Sequence, residues 1–405
     1  MGIEEAGPLS RRIEGELTGN ILPFWTQQTV DPEGEGFYAR ISNDKRTRER
    51  TPKGLILNTR ILWTFSAAYR YFGREDYLEL AHRAFRFLEK YFWDKKYGGM
   101  YWMLDGDNEP LDTSKKIYGQ AFSIYSYAEY FEASRETAAM DRTFELYQLI
   151  EKHNFDARFG GYFETSNRDW SVADDLRLSA IDMNEKKSMN THLHLLEAYA
   201  NLCRIRREPA PVDKLRGLIL NFLDHIIDPL AGHFRLFFDE EWRIKSSSVS
   251  FGHDIEGSWL LEEAGIVLGD GELSQRIGPA SLRLARTVLQ EGMSDDGGIF
   301  YERRANGDVD REMHWWVQVE GLVGFLNAFQ HSGEEPFWRA ACNIWDFCEK
   351  YLVDHLDGEW FYKVGPDRKP VLSEYKVSEW KCPYHSVRAC LELLTRLKGL
   401  QNIQR

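Results

Sequence analysis

The chain has 405 residues, 43% of them hydrophobic and 28% charged, with a formal net charge of −13. That length exceeds what one ordinary core fills, which leaves two domains or a repeat architecture. The acidic balance argues against nucleic acid or an anionic membrane as partner, because phosphate binding needs a surplus of Lys and Arg.

At the start, MGIEEAGPLSRRIEGEL lacks the apolar core of a signal peptide. Met1-Gly2 opens a myristoylation pattern that Ala6 breaks, since Ser or Thr is wanted there. No apolar run reaches the length of a membrane span. The five cysteines, Cys203, Cys342, Cys348, Cys382 and Cys390, fit no zinc or CxxC spacing. Free thiols in a reducing cytoplasm are expected.

A short motif then recurs six times, 60 to 72 residues apart: DPEGEGFYARI from Asp31, DKKYGGMYWML from Asp94, DARFGGYFETS from Asp156, DPLAGHFRLFF from Asp228, SDDGGIFYER from Ser294 and DHLDGEWFYKV from Asp354. Asp with a Gly pair predicts a tight turn using positive φ, and the aromatic run predicts a short strand. A helical segment precedes each copy, such as YLELAHRAFRFLEKYFW. A polar loop and a second, more apolar helix follow. These second helices begin near Asn58, Tyr118, Asn190, His253, Trp315 and Tyr384.

Six helix pairs at a fixed period signal a repeat architecture. The second helices are apolar nearly all round, as helices buried on all sides are. One all-α domain over residues 1–405 is therefore expected, an (α/α)6 toroid barrel of six inner and six outer helices with short hairpins between pairs.

Polar residues of the inner helices cluster at their N-terminal ends, which such a ring gathers at one mouth. The long loops 103–117 and 165–189 are expected over it. Asn190 and His194 are i,i+4, as are Trp316 and Glu320; His253 and Glu256 are i,i+3, as are His385 and Arg388. A helix N-terminus disfavours a charged imidazole and favours a developing oxyanion, so neutral general-base histidines are expected there. His194, His253 and His385 are read as occupying corresponding positions of three repeats. His192 and His314 fall one step off these faces and are read as structural. His82, His153, His225, His233, His331 and His355 are read as caps or surface groups. A metal site is the weaker alternative: His192-x-His194 would diverge on a helix, and HDIE lacks HExxH spacing. No phosphate loop or dinucleotide fingerprint precedes an inner helix.

The stretches LNTRILWTFSAAYR, SMNTHLHLLEAYANL, VSFGHDIEGSWLLEEA, HWWVQVEGLVGFLNA and EWKCPYHSVRACLE resemble the cellobiose 2-epimerases of the N-acylglucosamine 2-epimerase family, from about Ile13 to the last helix. The resemblance implies an (α/α)6 barrel. It implies that His253 and His385 are the general acid/base pair, that His194 is a further essential histidine, and that Arg60 lies near the reacting C1–C2 end. It implies supporting roles for Tyr118, Asn190 and Glu256 and sugar-stacking roles for Trp316 and Trp380. Glu320, on the Trp316 face, is read as one more substrate contact. Ser386-Val387 stands where the family often has Asn-Gly.

The function expected is inversion of C2 at the reducing-end glucose of a β-1,4-linked disaccharide, through ring opening, a cis-enediolate and reprotonation. No metal or other cofactor is required, the expected partner is an oligosaccharide substrate, and the assembly is a monomer or homodimer in the cytoplasm. The alternatives are a monosaccharide epimerase or isomerase of the same family and, more remotely, a glycoside hydrolase, which would need two carboxylates flanking the bond.

Overall fold

In the computed structural model, which describes residues 5–45, 48–49 and 51–403, all six motifs fold into one kind of miniature hairpin. Met1-Gly2 lies outside the described residues. The leading Asp side chain accepts the backbone N–H two residues on, at Asp31, Asp94, Asp156, Asp228 and Asp354. This Asx-turn closes the loop locally. In the fifth copy Ser294 substitutes, accepting from the Gly298 N–H. Gly98-Gly99 and Gly160-Gly161 take positive φ as predicted. The first copy departs, because Gly34 and Gly36 do not take positive φ. Gly36 is needed for a different reason: a Cβ there would lie 2.8 Å from the Phe87 ring.

The aromatic runs make less strand than predicted. One β-bridge closes each hairpin: Val30–Phe37, Trp93–Met100, Phe155–Tyr162, Ile227–Phe234, Met293–Ile299 and Val353–Trp360. Two-residue strands follow, and they pair with the strand that leads into the preceding inner helix. Thus Lys53–Gly54 pairs with Met103–Leu104, and Lys187–Ser188 with Phe237–Phe238. Each unit is thereby stitched to its neighbour.

Among the described residues, twelve helices result. The inner six are Leu55–Phe72, Ile117–Ser134, Met189–Ile205, Phe251–Leu268, Trp315–Ser332 and Tyr384–Ile403. Outer helices occupy 6–28, 75–92, 137–153, 209–226, 271–291 and 335–352, several of them including a π-helical turn, as at Leu88–Phe92. The outer helices are amphipathic: Tyr77, Ala81, Ala84, Phe85 and Leu88 form one buried stripe. In the first inner helix, every residue from Leu55 to Ala68 is buried.

The ring closes on itself. Ile41 bridges Val377, and the Lys376 N–H donates to the Ile41 carbonyl at 2.9 Å. Trp63 of the first inner helix meets Tyr384 of the last edge-on, at 5.1 Å between centroids. These contacts decide between a closed toroid and an open solenoid in favour of the (α/α)6 barrel.

Two sets of buried polar groups fix inner helices against their own hairpins. Lys115 pairs with Asp94 at 3.1 Å and Lys187 with Asp156 at 2.7 Å. The fourth residue of four inner helices also reaches the first residue after the turn. Gln120, His192, Asp254 and Gln318 accept the N–H groups of Met100, Tyr162, Phe234 and Ile299. Such fully satisfied contacts leave little freedom of register.

Candidate active site

If the fourth residue of an inner helix faces its hairpin, the second and sixth face the barrel axis. Second residues are Tyr118, Asn190, Trp316 and His385; sixth residues are Arg60, His194, Glu256 and Glu320. All but Glu320 border one cavity of about 240 Å³ at the N-terminal mouth, together with His253 and Trp380. The three histidines do not occupy equivalent positions, contrary to expectation. His385 is second, His253 third and His194 sixth in its helix, yet all three reach the same cavity.

Each of these imidazoles is held through Nδ1. His194 Nδ1 lies 3.1 Å from Glu197 Oε2, His385 Nδ1 2.6 Å from Glu320 Oε1, and His253 Nδ1 2.7 Å from the Ser250 hydroxyl. Among the described residues, none of the three Nε2 atoms has a protein partner. A carboxylate only accepts, so His194 and His385 carry their proton on Nδ1 and present a bare Nε2 lone pair to the cavity. Ser250 can donate or accept, so His253 can present Nε2 with or without a proton.

Burial pushes His253 down to about 3, and the adjacent His194 adds to the effect. His385 and His194 are likewise held below the ordinary value, first by burial and then, for His385, by Arg60 and Arg388. The expected neutral histidines are therefore present, but burial is the leading cause rather than the helix terminus.

Beneath the imidazoles lies a buried charge network. Arg388 donates to Glu256 at 2.8 Å, to Glu320 at 2.6 Å, and to Glu197 and the Tyr384 hydroxyl. Burial raises Glu256, and the neighbouring Glu320 charge adds to it. Burial opposes the charge on Glu197 most strongly, but Arg388, His194 and the Tyr384 hydroxyl together outweigh it and lower the group to about 2. Glu320, read from sequence as a substrate contact, is instead fully buried behind His385, and its other oxygen takes the Trp259 indole N–H. Arg388, His385 and Trp259 occupy its two oxygens, and it does not reach the cavity lining.

Arg60 is buried differently. Its guanidinium donates to the Tyr118 hydroxyl at 2.9 Å and lies over the Phe122 ring at 4.3 Å. Among the described residues no carboxylate pairs with it. Asn190 Oδ1 is also buried without a hydrogen-bond partner. Trp316 packs beside two histidines, 4.9 Å from the His253 ring and 5.7 Å from that of His385. Trp380 lies across the cavity beside Tyr118, at 6.0 Å.

Glu256, Glu320 and His385 bring ligand-type atoms within 4.8 Å of one another. Arg388 already engages both carboxylates, so a cation occupies that charge environment. His192 and His194 point apart, the former to Tyr162 and the latter to the cavity. Of the inner-helix carboxylates, Asp254 binds His233 and the Phe234 N–H, while Glu256 borders the cavity on the Arg388 network; Asp182 borders it from the loop, accepting from Ser179. The structural reading of His192 thus holds; His314 stacks on Tyr301 at 3.9 Å, outside the cavity lining. All five cysteines are free thiols. Among the described residues, no helix is long and apolar enough to cross a membrane.

Several lining residues were not read from sequence. Leu178, Ser179, Ile181 and Asp182 come from the loop 165–189, which does cover the mouth; the loop 103–117 does not line it. Tyr301 and Tyr362 come from the hairpins. They had a signal: both are the third residue after the turn, in IFY and WFY of the last two motifs.

The N-acylglucosamine 2-epimerase (GlcNAc 2-epimerase) family model matches residues 36–389. The chain is 44% identical to cellobiose 2-epimerase of Bacteroides fragilis, over 95% of this chain and 98% of that one. It is 37% identical to cellobiose 2-epimerase of Ruminococcus albus, again over 95% and 98%. The solved structure of cellobiose 2-epimerase from Bacillus thermoamylovorans B4167 superposes with a TM-score of 0.91 at 36% identity, over 96% of this chain and all of that one.

Proposed function

The chain belongs to the N-acylglucosamine 2-epimerase family, and on that premise we propose that it inverts C2 of the reducing-end glucose of β-1,4-linked disaccharides. Cellobiose would give glucosyl-mannose, and lactose epilactose. The observation that carries the reading is the set of three neutral imidazoles, held through Nδ1 on one cavity, beside an arginine that no carboxylate among the described residues neutralises.

A pyranose has no acidic C2 proton until its ring opens to the aldehyde. His385, its Nε2 a lone pair, takes the O1 proton and returns it at the ring oxygen. With the aldehyde formed, a base removes the C2 proton and leaves a cis-enediolate. Inversion then needs a proton from the opposite face. His253 and His385, both beside the Trp316 ring, supply the two faces, and the undecided tautomer of His253 lets it act as acid or base. His194 is a third proton-handling group near the same end.

Arg60 meets the enediolate oxygens, where a preorganised charge acts in a site with little water. Tyr118 holds Arg60, and Asn190 and Glu256 hydrogen-bond the sugar hydroxyls. Trp316 and Trp380 offer ring faces to the two sugars. Glu320 acts one layer back, fixing the His385 tautomer. The scheme needs no metal. Five unpaired thiols fit a reducing cytoplasm.

The test is to incubate EDTA-treated protein with cellobiose in D2O and follow the reducing-end C2 signal by NMR. Deuterium at C2 with growth of glucosyl-mannose is the expected result. Absence of both sinks the disaccharide reading; exchange into free mannose alone would assign the protein to the monosaccharide branch. Released glucose would signal hydrolysis instead.

A further inference from the structure

The cavity's outer wall is the 176–182 stretch of a loop, and Lys116 ties that stretch to the barrel. Leu178, Ser179, Ile181 and Asp182 line the mouth, with Ile181 92% exposed at the tip. The loop has internal ties. The Leu176 N–H donates to Asn184, and the Ser179 N–H and hydroxyl both donate to Asp182. Its link to the barrel beside the cavity is Lys116, whose ammonium donates to the Arg177 carbonyl at 2.6 Å and the Leu178 carbonyl at 3.2 Å.

Lys116 is an odd residue for its place. It is the N-cap of the inner helix Ile117–Ser134 and provides no side-chain cap. The matching residues of the next two units are Ser188 and Ser250, and both cap their helices. A lysine there forgoes a favourable cap and sets a cation near the positive end of the helix dipole. Burial lowers its pKa, and Asp112, Asp175 and Asp182 act against that. The residue therefore costs the helix something, and what it gains is the loop. Its ammonium also lies 5.1 Å from the Trp102 ring, which packs at 6.0 Å against Trp380. One side chain thus joins the loop to the Trp380 wall.

We propose that Lys116 is a positioning residue for the outer sugar: it pins the 176–182 segment across the mouth, so that the wall receiving the second ring is formed before substrate arrives. The inference rests on the disaccharide reading above. A loop left free must be ordered by the substrate itself, and that cost appears in KM rather than in the chemical step.

The deciding variants are Lys116→Ser, which restores the cap seen in the next two units and so protects folding, and Lys116→Arg, which keeps the cation. Amide exchange of residues 176–182 and steady-state kinetics on cellobiose are measured for both in the full chain. In Lys116→Ser, exchange should quicken about tenfold and KM rise about tenfold, the order expected for losing charged hydrogen bonds. The kcat should stay within about twofold. Lys116→Arg should resemble the parent, and C2 exchange into free mannose, which lacks the second ring, should be unchanged in both. Unchanged loop exchange, or a loss confined to kcat, would overturn the proposal. A parent protein idle on cellobiose would sink the disaccharide reading itself, and with it the role in sugar selection, while loop exchange would still report whether Lys116 holds the segment.

Discussion

Two arginines are buried within the same barrel, 3% and 2% exposed, and they are treated in opposite ways. Arg388 meets three carboxylates, Glu197, Glu256 and Glu320. Arg60 meets a phenol hydroxyl, the Cys382 sulfur and two aromatic faces. A desolvated cation with its full set of anions is scaffold, and removing it strands the anions. A desolvated cation denied an anion is costly to the folded state, and the cost is recovered when a ligand brings negative charge. The floor of the site is thus finished electrostatically, and the wall is left open for an enediolate.

The largest effect should come from breaking that contrast directly. Arg388→Met leaves three carboxylates facing one another without a cation, and should lose about 3–5 kcal/mol of stability in urea titrations. Arg60→Met should leave stability unchanged or slightly raised while kcat falls about 10²–10³-fold, as for other oxyanion donors. If Arg60→Met unfolds as readily as Arg388→Met, the distinction between floor and wall is wrong.

Glu320 joins the two regions, since one oxygen takes both Arg388 and the His385 Nδ1–H. Glu320→Gln can donate as well as accept, so it no longer dictates the His385 tautomer. A kcat loss of about 100-fold with KM little changed is expected, the lower end of what a correctly poised base contributes. An equal loss confined to KM would place Glu320 at the sugar, as its sequence position suggested.

The pH dependence of stability sharpens the comparison from the histidine side. The His253 value falls from 6.5 to about 3 on folding. Between those limits the unfolded chain binds a proton that the folded chain refuses, so stability drops as pH falls through that window. The slope from this group is at most about 1.4 kcal/mol per pH unit. His253→Asn should remove that share of the slope between pH 6 and 4 in urea titrations. An unchanged slope would mean that His253 is protonated in the folded protein.

The sequence already contained most of this. Six turn motifs set the unit, and apolar inner helices argued for closure. Helical spacing then brought Arg60, Tyr118, Asn190, His194, His253, Glu256, Trp316 and His385 to one mouth, and Trp380 joined them through the family likeness. What escaped had no period. Leu178, Ser179, Ile181 and Asp182 sit in an irregular loop whose path depends on Lys116, and the Arg388 floor needs partners from three other helices. Glu320 was misplaced by one layer because spacing gives a side chain's face and not its depth. The hairpin tyrosines were missed because aromatic residues after a turn serve the core as readily as a ligand: Phe37 and Tyr162 in the same run are buried.

The smallest expected effect makes the sharpest use of that spacing. His192 and His194 are two residues apart, and one face separates scaffold from chemistry. His192 accepts the Tyr162 N–H through Nε2 and reaches the Ser188 carbonyl through Nδ1. Two units place glutamine at the matching site: Gln120 accepts the Met100 N–H and donates to the Met100 carbonyl, and Gln318 does the same with Ile299. His192→Gln therefore has a geometry already tested twice in this barrel. It should shift stability by no more than about 1 kcal/mol, the worth of one such bond, and leave kcat on cellobiose unchanged. His194→Gln should keep the Glu197 contact yet lose the Nε2 lone pair and most turnover. If instead His192→Gln abolishes turnover with stability intact, the fourth position of an inner helix is not mere scaffold, and the assignment of faces fails along with it.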